Sequence, residues 1–140
     1  MTIIPNISGK PRSVNLAKYR VDWASKRASN AQFKAKQFFK QFWYADQVLE
    51  EMVIPGTRLR LDLVNLTKKI VVEVSGAQHE TFVKFYHKNR LGFLKSVKRD
   101  FKKINWVEKH LCFTFLEIYD TEVDDLTVDG IEKKFGIKIY

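Results

Sequence analysis

At 140 residues the chain is long enough to bury the core of one domain. Its 45% hydrophobic and 14% aromatic content excludes a disordered chain, and its single cysteine, Cys112, excludes an internal disulfide framework and a cysteine-based zinc site. Lys and Arg number 25 against 16 Asp and Glu, a formal charge of +9. Such an excess suits a polyanionic partner, most commonly nucleic acid, or else simply a basic soluble surface. Lone-cysteine usage fits a reducing, cytoplasmic setting. No apolar run approaches the roughly 18 residues of a membrane span, and the first residues lack the pattern of a signal peptide.

In chain order, residues 1–20 carry Pro5, Gly9 and Pro11 without periodicity, and read as an irregular arm ahead of a single domain over 21–140. Ser29 or Asn30 can cap a first helix ending near Trp43, with Phe33, Phe38, Phe39, Phe42 and Trp43 as its apolar positions. "QVLEEMVI" reads as a strand stopped by Pro55-Gly56. "TRLRLDLVN" alternates, with Leu59, Leu61 and Leu63 on one face and Arg58, Arg60, Asp62 and Val64 on the other. "LTKK" is a turn and "IVVEVSG" the next strand. Leu94, Val97, Phe101, Ile104, Val107 and Leu111 then form the apolar stripe of a long helix. "CFTFLEIY" is apolar enough for a central strand, and "VDGIEKKFGI" reads as a short last helix. The expected fold is α/β: a three-strand meander, a helical crossover and a fourth strand in a mixed sheet flanked by helices.

Two carboxylates stand out. A four-residue loop over 66–69 pairs Asn65 with Ile70, Val64 with Val71, Leu63 with Val72, and Asp62 with Glu73. Like charges directly opposite on a sheet are unfavourable unless they are exposed, paired with a cation, or joined by a divalent ion. Arg60, two residues from Asp62, is one available partner. Glu73 lies inside an apolar run, where a charge needs a partner.

The order of elements and the Asp62/Glu73 spacing resemble the PD-(D/E)XK nuclease superfamily. "LRLDLVNLTKKIVVEVSGAQH" is similar to its branch of very short patch repair endonucleases and small phage and bacterial, homing-type nucleases. The resemblance covers roughly residues 29 to 120. It implies a three-layer core, a metal-dependent endonuclease that hydrolyses DNA, and Asp62 and Glu73 as ligands of Mg²⁺, with Mn²⁺ as a substitute. His79 then acts as base or orients a water, Gln78 bonds a phosphate or water, and Asp100 in "KRDFKKINW" faces the site. Ser75 stands where the superfamily usually has Lys. Lys84, Lys98, Lys102 or Lys103 are the cations that can replace it, and Lys103, one turn after Asp100, is favoured. The Glu that many relatives carry on the first helix has no counterpart in "NAQFKAKQF".

Lysines are interleaved with aromatics on the first helix, Lys34 among them, and cations crowd the second. Lys34, Lys84, His87, Arg90, Lys98 and Arg99 are the candidate nucleic-acid contacts. A duplex cut by so small a chain needs two copies, as in a homodimer, or two successive nicks. The rival readings are a nuclease fold that has lost catalysis and serves as a DNA-binding or assembly module, and a protein directed at RNA.

Overall fold

The computed structural model describes residues 1–26, 28–76 and 98–140. Strands β3 (Val48–Val53), β4 (Arg60–Asn65), β5 (Ile70–Ser75) and β6 (Thr114–Tyr119) form a sheet in that order. The first three are antiparallel neighbours, and β6 runs parallel to β5. The expected loop over 66–69 sets the expected register at Leu63↔Val72, Val64↔Val71 and Asn65↔Ile70. The sheet is therefore mixed, as the spacing of elements predicts, and helices flank it.

Each face buries its own apolar cluster. On one side lie α1 (Asn30–Trp43) and α3 (Val128–Phe135). Phe39 and Trp43 of α1 and Ile131 of α3 pack there on Val48, Leu63, Val72 and Leu116. The Ser29 hydroxyl caps α1 by accepting the Gln32 N–H at 3.1 Å, which stops the helix from extending backwards. Trp43 Nε1 donates to the Ile139 carbonyl at 2.6 Å and ties the C-terminal segment to α1. On the other side, Trp106 and Val107 pack on Leu49, Met52, Leu61, Val64 and Val71. They follow α2, described over residues 98–105, which continues into a π-helical turn at Trp106–His110.

Several expectations need correction. Residues 1–20 are built rather than irregular: β1 (Thr2–Pro5) and β2 (Pro11–Val14) form an antiparallel hairpin, followed by a 3₁₀ turn at Leu16–Tyr19. Pro5 and Pro11 pair at the turn end of this two-stranded ladder, where missing N–H groups are tolerated. The segment then runs along the outer edge of β3: Ile7 N–H donates to the Pro55 carbonyl at 2.9 Å and Val21 N–H to the Val48 carbonyl at 3.0 Å. Among the described residues, β6 is an edge strand of this sheet, not a central one. Its apolar sequence is needed because both its faces are covered, Leu116 and Ile118 by one cluster and Phe113 and Phe115 by the other. Phe101 leaves the predicted stripe and is 69% exposed, because the α2 face that meets the sheet is centred on Trp106 and Val107. Leu94 and Val97 lie outside the described residues.

The alternation in β4 is also broken. Leu61 and Val64 share one cluster, while Leu63 joins the other. The break coincides with a gap in the β3–β4 ladder: Glu50↔Leu63 and Met52↔Leu61 pair, but Glu51 and Asp62 do not. Glu51 sits there at φ 53, a left-handed conformation that a glutamate adopts only against steric strain.

On the α1 side, Lys36 and Glu50 form a buried ion pair at 2.9 Å, each about 5% exposed or less. Lys36 Nζ also donates to the Asp22 carbonyl at 2.8 Å, and Glu50 Oε1 accepts the Asp22 N–H at 3.3 Å. Lys36 is thus a structural cation rather than a solvated one. Breaking a buried pair strands one charge. Lys36→Met is expected to lower the unfolding free energy by about 3–5 kcal/mol. Urea denaturation at neutral pH checks this, with the drop appearing in the midpoint rather than the slope.

Candidate active site

Beyond Leu63↔Val72 the β4–β5 ladder stops, although both strands continue. Side chains replace it. Asp62 N–H donates to Glu73 Oε1 at 2.9 Å, and Val74 N–H donates to Asp62 Oδ2 at 2.8 Å. Each carboxylate therefore satisfies a backbone donor on the other's strand. The exchange holds the two acids across a gap where a regular ladder would have closed the strands together. Arg60 does not pair with Asp62; its guanidinium lies 3.5 Å from Glu51.

Glu73 is 8% exposed, and its second oxygen, Oε2, accepts from Lys103 Nζ at 3.2 Å. Lys103 reaches it from α2, so the sheet and the helix meet at this carboxylate. Burial pushes the Asp62 carboxyl up to about 6; the Val74 N–H and Lys103 pull against this, and the Glu51 charge adds to it. Burial pushes Glu73 up to about 8, reinforced by the Asp62 charge and opposed by Lys103. Two desolvated acids held this close do not both ionise readily unless a cation joins them.

The pair opens into a cleft of about 410 Å³ whose walls include Arg58, Arg60, Ser75, Arg99, Asp100 and Lys103. Five of the expected site residues, Asp62, Glu73, Ser75, Asp100 and Lys103, thus meet in one place. Arg99 joins them as a cation. Lys98 is exposed on α2. Lys34 borders a neighbouring groove that shares Ser75 and Gly76 with the cleft, but its amine is paired with Asp124 at 2.9 Å. Gln78, His79, Lys84, His87 and Arg90 lie outside the described residues. Arg58 and Glu51 were not expected at the site. Arg58 was legible as a member of the alternating run "TRLRLDLVN", whereas nothing in the sequence marks the backbone inversion at Glu51.

The donor set fits a hard divalent ion. Mg²⁺ takes oxygen ligands and commonly only one or two protein carboxylates, the rest being water and phosphate. Asp62 and Glu73 supply that number. No group of three or more His, Cys, Asp or Glu side chains suited to a metal exists among the described residues.

The raised acids make a pH-dependent prediction. In the unfolded chain both carboxylates ionise near pH 4. The folded protein holds its protons longer, so stability from the protonated pair is full below the unfolded values. It is lost as pH rises through about 6 and then about 8. The melting temperature in EDTA is expected to fall as pH rises through that window. Added Mg²⁺ should restore more of it at the alkaline end, because ion and proton compete for the same oxygens. Glu73→Gln should flatten the dependence. Thermal melts across the pH range, with and without Mg²⁺, measure all three.

Comparison of the chain with known protein families, with curated proteins and with solved structures finds no match in any of the three.

Proposed function

We propose that the protein is a divalent-cation-dependent endonuclease that hydrolyses phosphodiester bonds in DNA, built on a PD-(D/E)XK-like core. The observation that carries this reading is the Asp62–Glu73 exchange beside Lys103 in a cation-lined cleft. The described order α1-β3-β4-β5-α2-β6 is the one that the resemblance implies, and it supports the reading. Asp62 and Glu73 would hold the metal. When bound, such an ion supplies Lewis-acid stabilisation of a phosphoryl oxygen and lowers the pKa of a bound water.

The chain's own residues have separable roles. Lys103 supplies the positive charge that Ser75 cannot, and its bond to Glu73 fixes the ammonium at the cleft wall. A cation held in place where charge develops stabilises the transition state without reorganisation. Arg58 and Arg99 line the same cleft and attract the phosphodiester backbone. The second reading, a nuclease fold that binds nucleic acid without cutting, draws on the two-acid donor set and on serine at position 75.

Nicking of supercoiled plasmid separates the two. Mg²⁺ or Mn²⁺ should support nicking and EDTA should abolish it. Asp62→Asn and Glu73→Gln should remove cleavage while retaining DNA binding. Lys103→Met should lower kcat on the order of 10²- to 10³-fold, the usual cost of losing one preorganised charge-stabilising donor. Binding by the wild type without nicking under either metal would transfer the assignment to the binding module.

A further inference from the structure

The cations of this chain divide into two populations. Lys34, Lys36, Lys68, Lys103 and Lys134 each sit within 3.2 Å of a carboxylate. Among the described residues, Lys10, Arg12, Lys18 and Arg20 have no such partner, and all four are exposed. No acid precedes Asp22 in the sequence, so the first 21 residues present charge of one sign. An uncompensated stripe of that kind repels itself and attracts a polyanion.

This stripe is mounted on a fixed platform. Trp106 Nε1 donates to the Asn6 carbonyl at 3.1 Å, between the two hairpin strands, and also lies 3.3 Å from the Pro5 carbonyl. Ile4, Ile7 and Leu16 pack on the second apolar cluster. The hairpin loop meets the β3–β4 turn: a Cβ placed on Gly56 would lie 3.5 Å from the Ile7 side chain. The chain leaving that turn carries Arg58, which lines the cleft. Lys10 and Arg12 therefore lie toward the hairpin loop that meets this turn, whereas Lys18 and Arg20 sit by the start of β3.

We infer that the N-terminal hairpin is a second phosphate-binding surface, which holds the backbone of the nucleic acid whose scissile bond lies in the cleft. This rests on the nuclease reading for what enters the cleft. The partner is a nucleic-acid duplex rather than an anionic lipid surface, because the turn that the hairpin loop touches leads to Arg58 in the acid-bearing cleft. A pre-ordered hairpin makes these contacts without the ordering cost of a flexible tail.

The test is duplex DNA affinity in EDTA, read by fluorescence anisotropy over a salt series. Each lost phosphate contact reduces the slope of log K against log salt by about 0.9. Lys10→Gln combined with Arg12→Gln should therefore make the slope shallower by about 1.8, with an unchanged circular dichroism spectrum. Lys134→Gln, which removes a cation paired with Glu122, should leave the slope as it is. An unchanged slope in the hairpin variant overturns the proposal, whatever happens to cleavage. So does wild-type binding to phosphatidylserine vesicles that the variant loses while its DNA slope stays. A shallower slope in a protein that never nicks plasmid upholds the hairpin surface and removes only the hydrolytic reading.

Discussion

Two acids hydrogen-bonded to each other's strand are the constraint around which the rest of the molecule is arranged. A carboxylate in a sheet normally points to water. Here Asp62 and Glu73 take the places of ladder partners, each accepting a backbone N–H that the parted strands would otherwise leave unsatisfied. Backbone pairing is thereby exchanged for a concentration of negative charge, which is destabilising by itself. Stable proteins retain such an arrangement where activity requires it. The strained Glu51 belongs to the same feature, because its inversion accompanies the missing pair with Asp62 and the change of face along β4.

The opposite face of the sheet answers with a different use of charge. Lys36 and Glu50 are buried together and bonded to main-chain groups of the segment before α1. Their work is to fix α1 and residues 20–26 against β3. One face therefore carries a neutralised pair that specifies the fold, and the other carries two neighbouring acids, of which Glu73 is paired with Lys103. The sheet separates them, so the structural pair does not quench the field of the candidate site.

What was legible in the sequence was local. The Ser29 cap, the end of α1 at Trp43, the four-residue turn and three β4–β5 pairs all follow from short-range rules that the tertiary structure does not override. The juxtaposition of Asp62 and Glu73 was legible for the same reason, since register follows from turn length. The errors lie where distant parts decide. Whether β6 is central or edge depends on what covers its faces. Phe101 is exposed because Trp106, not it, fills the space against the sheet. The hairpin at residues 2–14 needs a dock provided by β3 and by a tryptophan some hundred positions later, and no local periodicity announces that.

That last separation has a consequence for how the chain is made. The carbonyls of Pro5 and Asn6 are held by an indole at position 106, and the carbonyl of Ile139 by one at position 43. Contacts this remote close large loops and form slowly. A ribosome adding about 5–20 residues per second leaves the early hairpin waiting several seconds for its anchor. During that interval the segment has its partners at Val48 and Pro55 along the edge of β3, but not the indole that holds the hairpin loop. The nascent hairpin is therefore anchored in full only after Trp106 emerges.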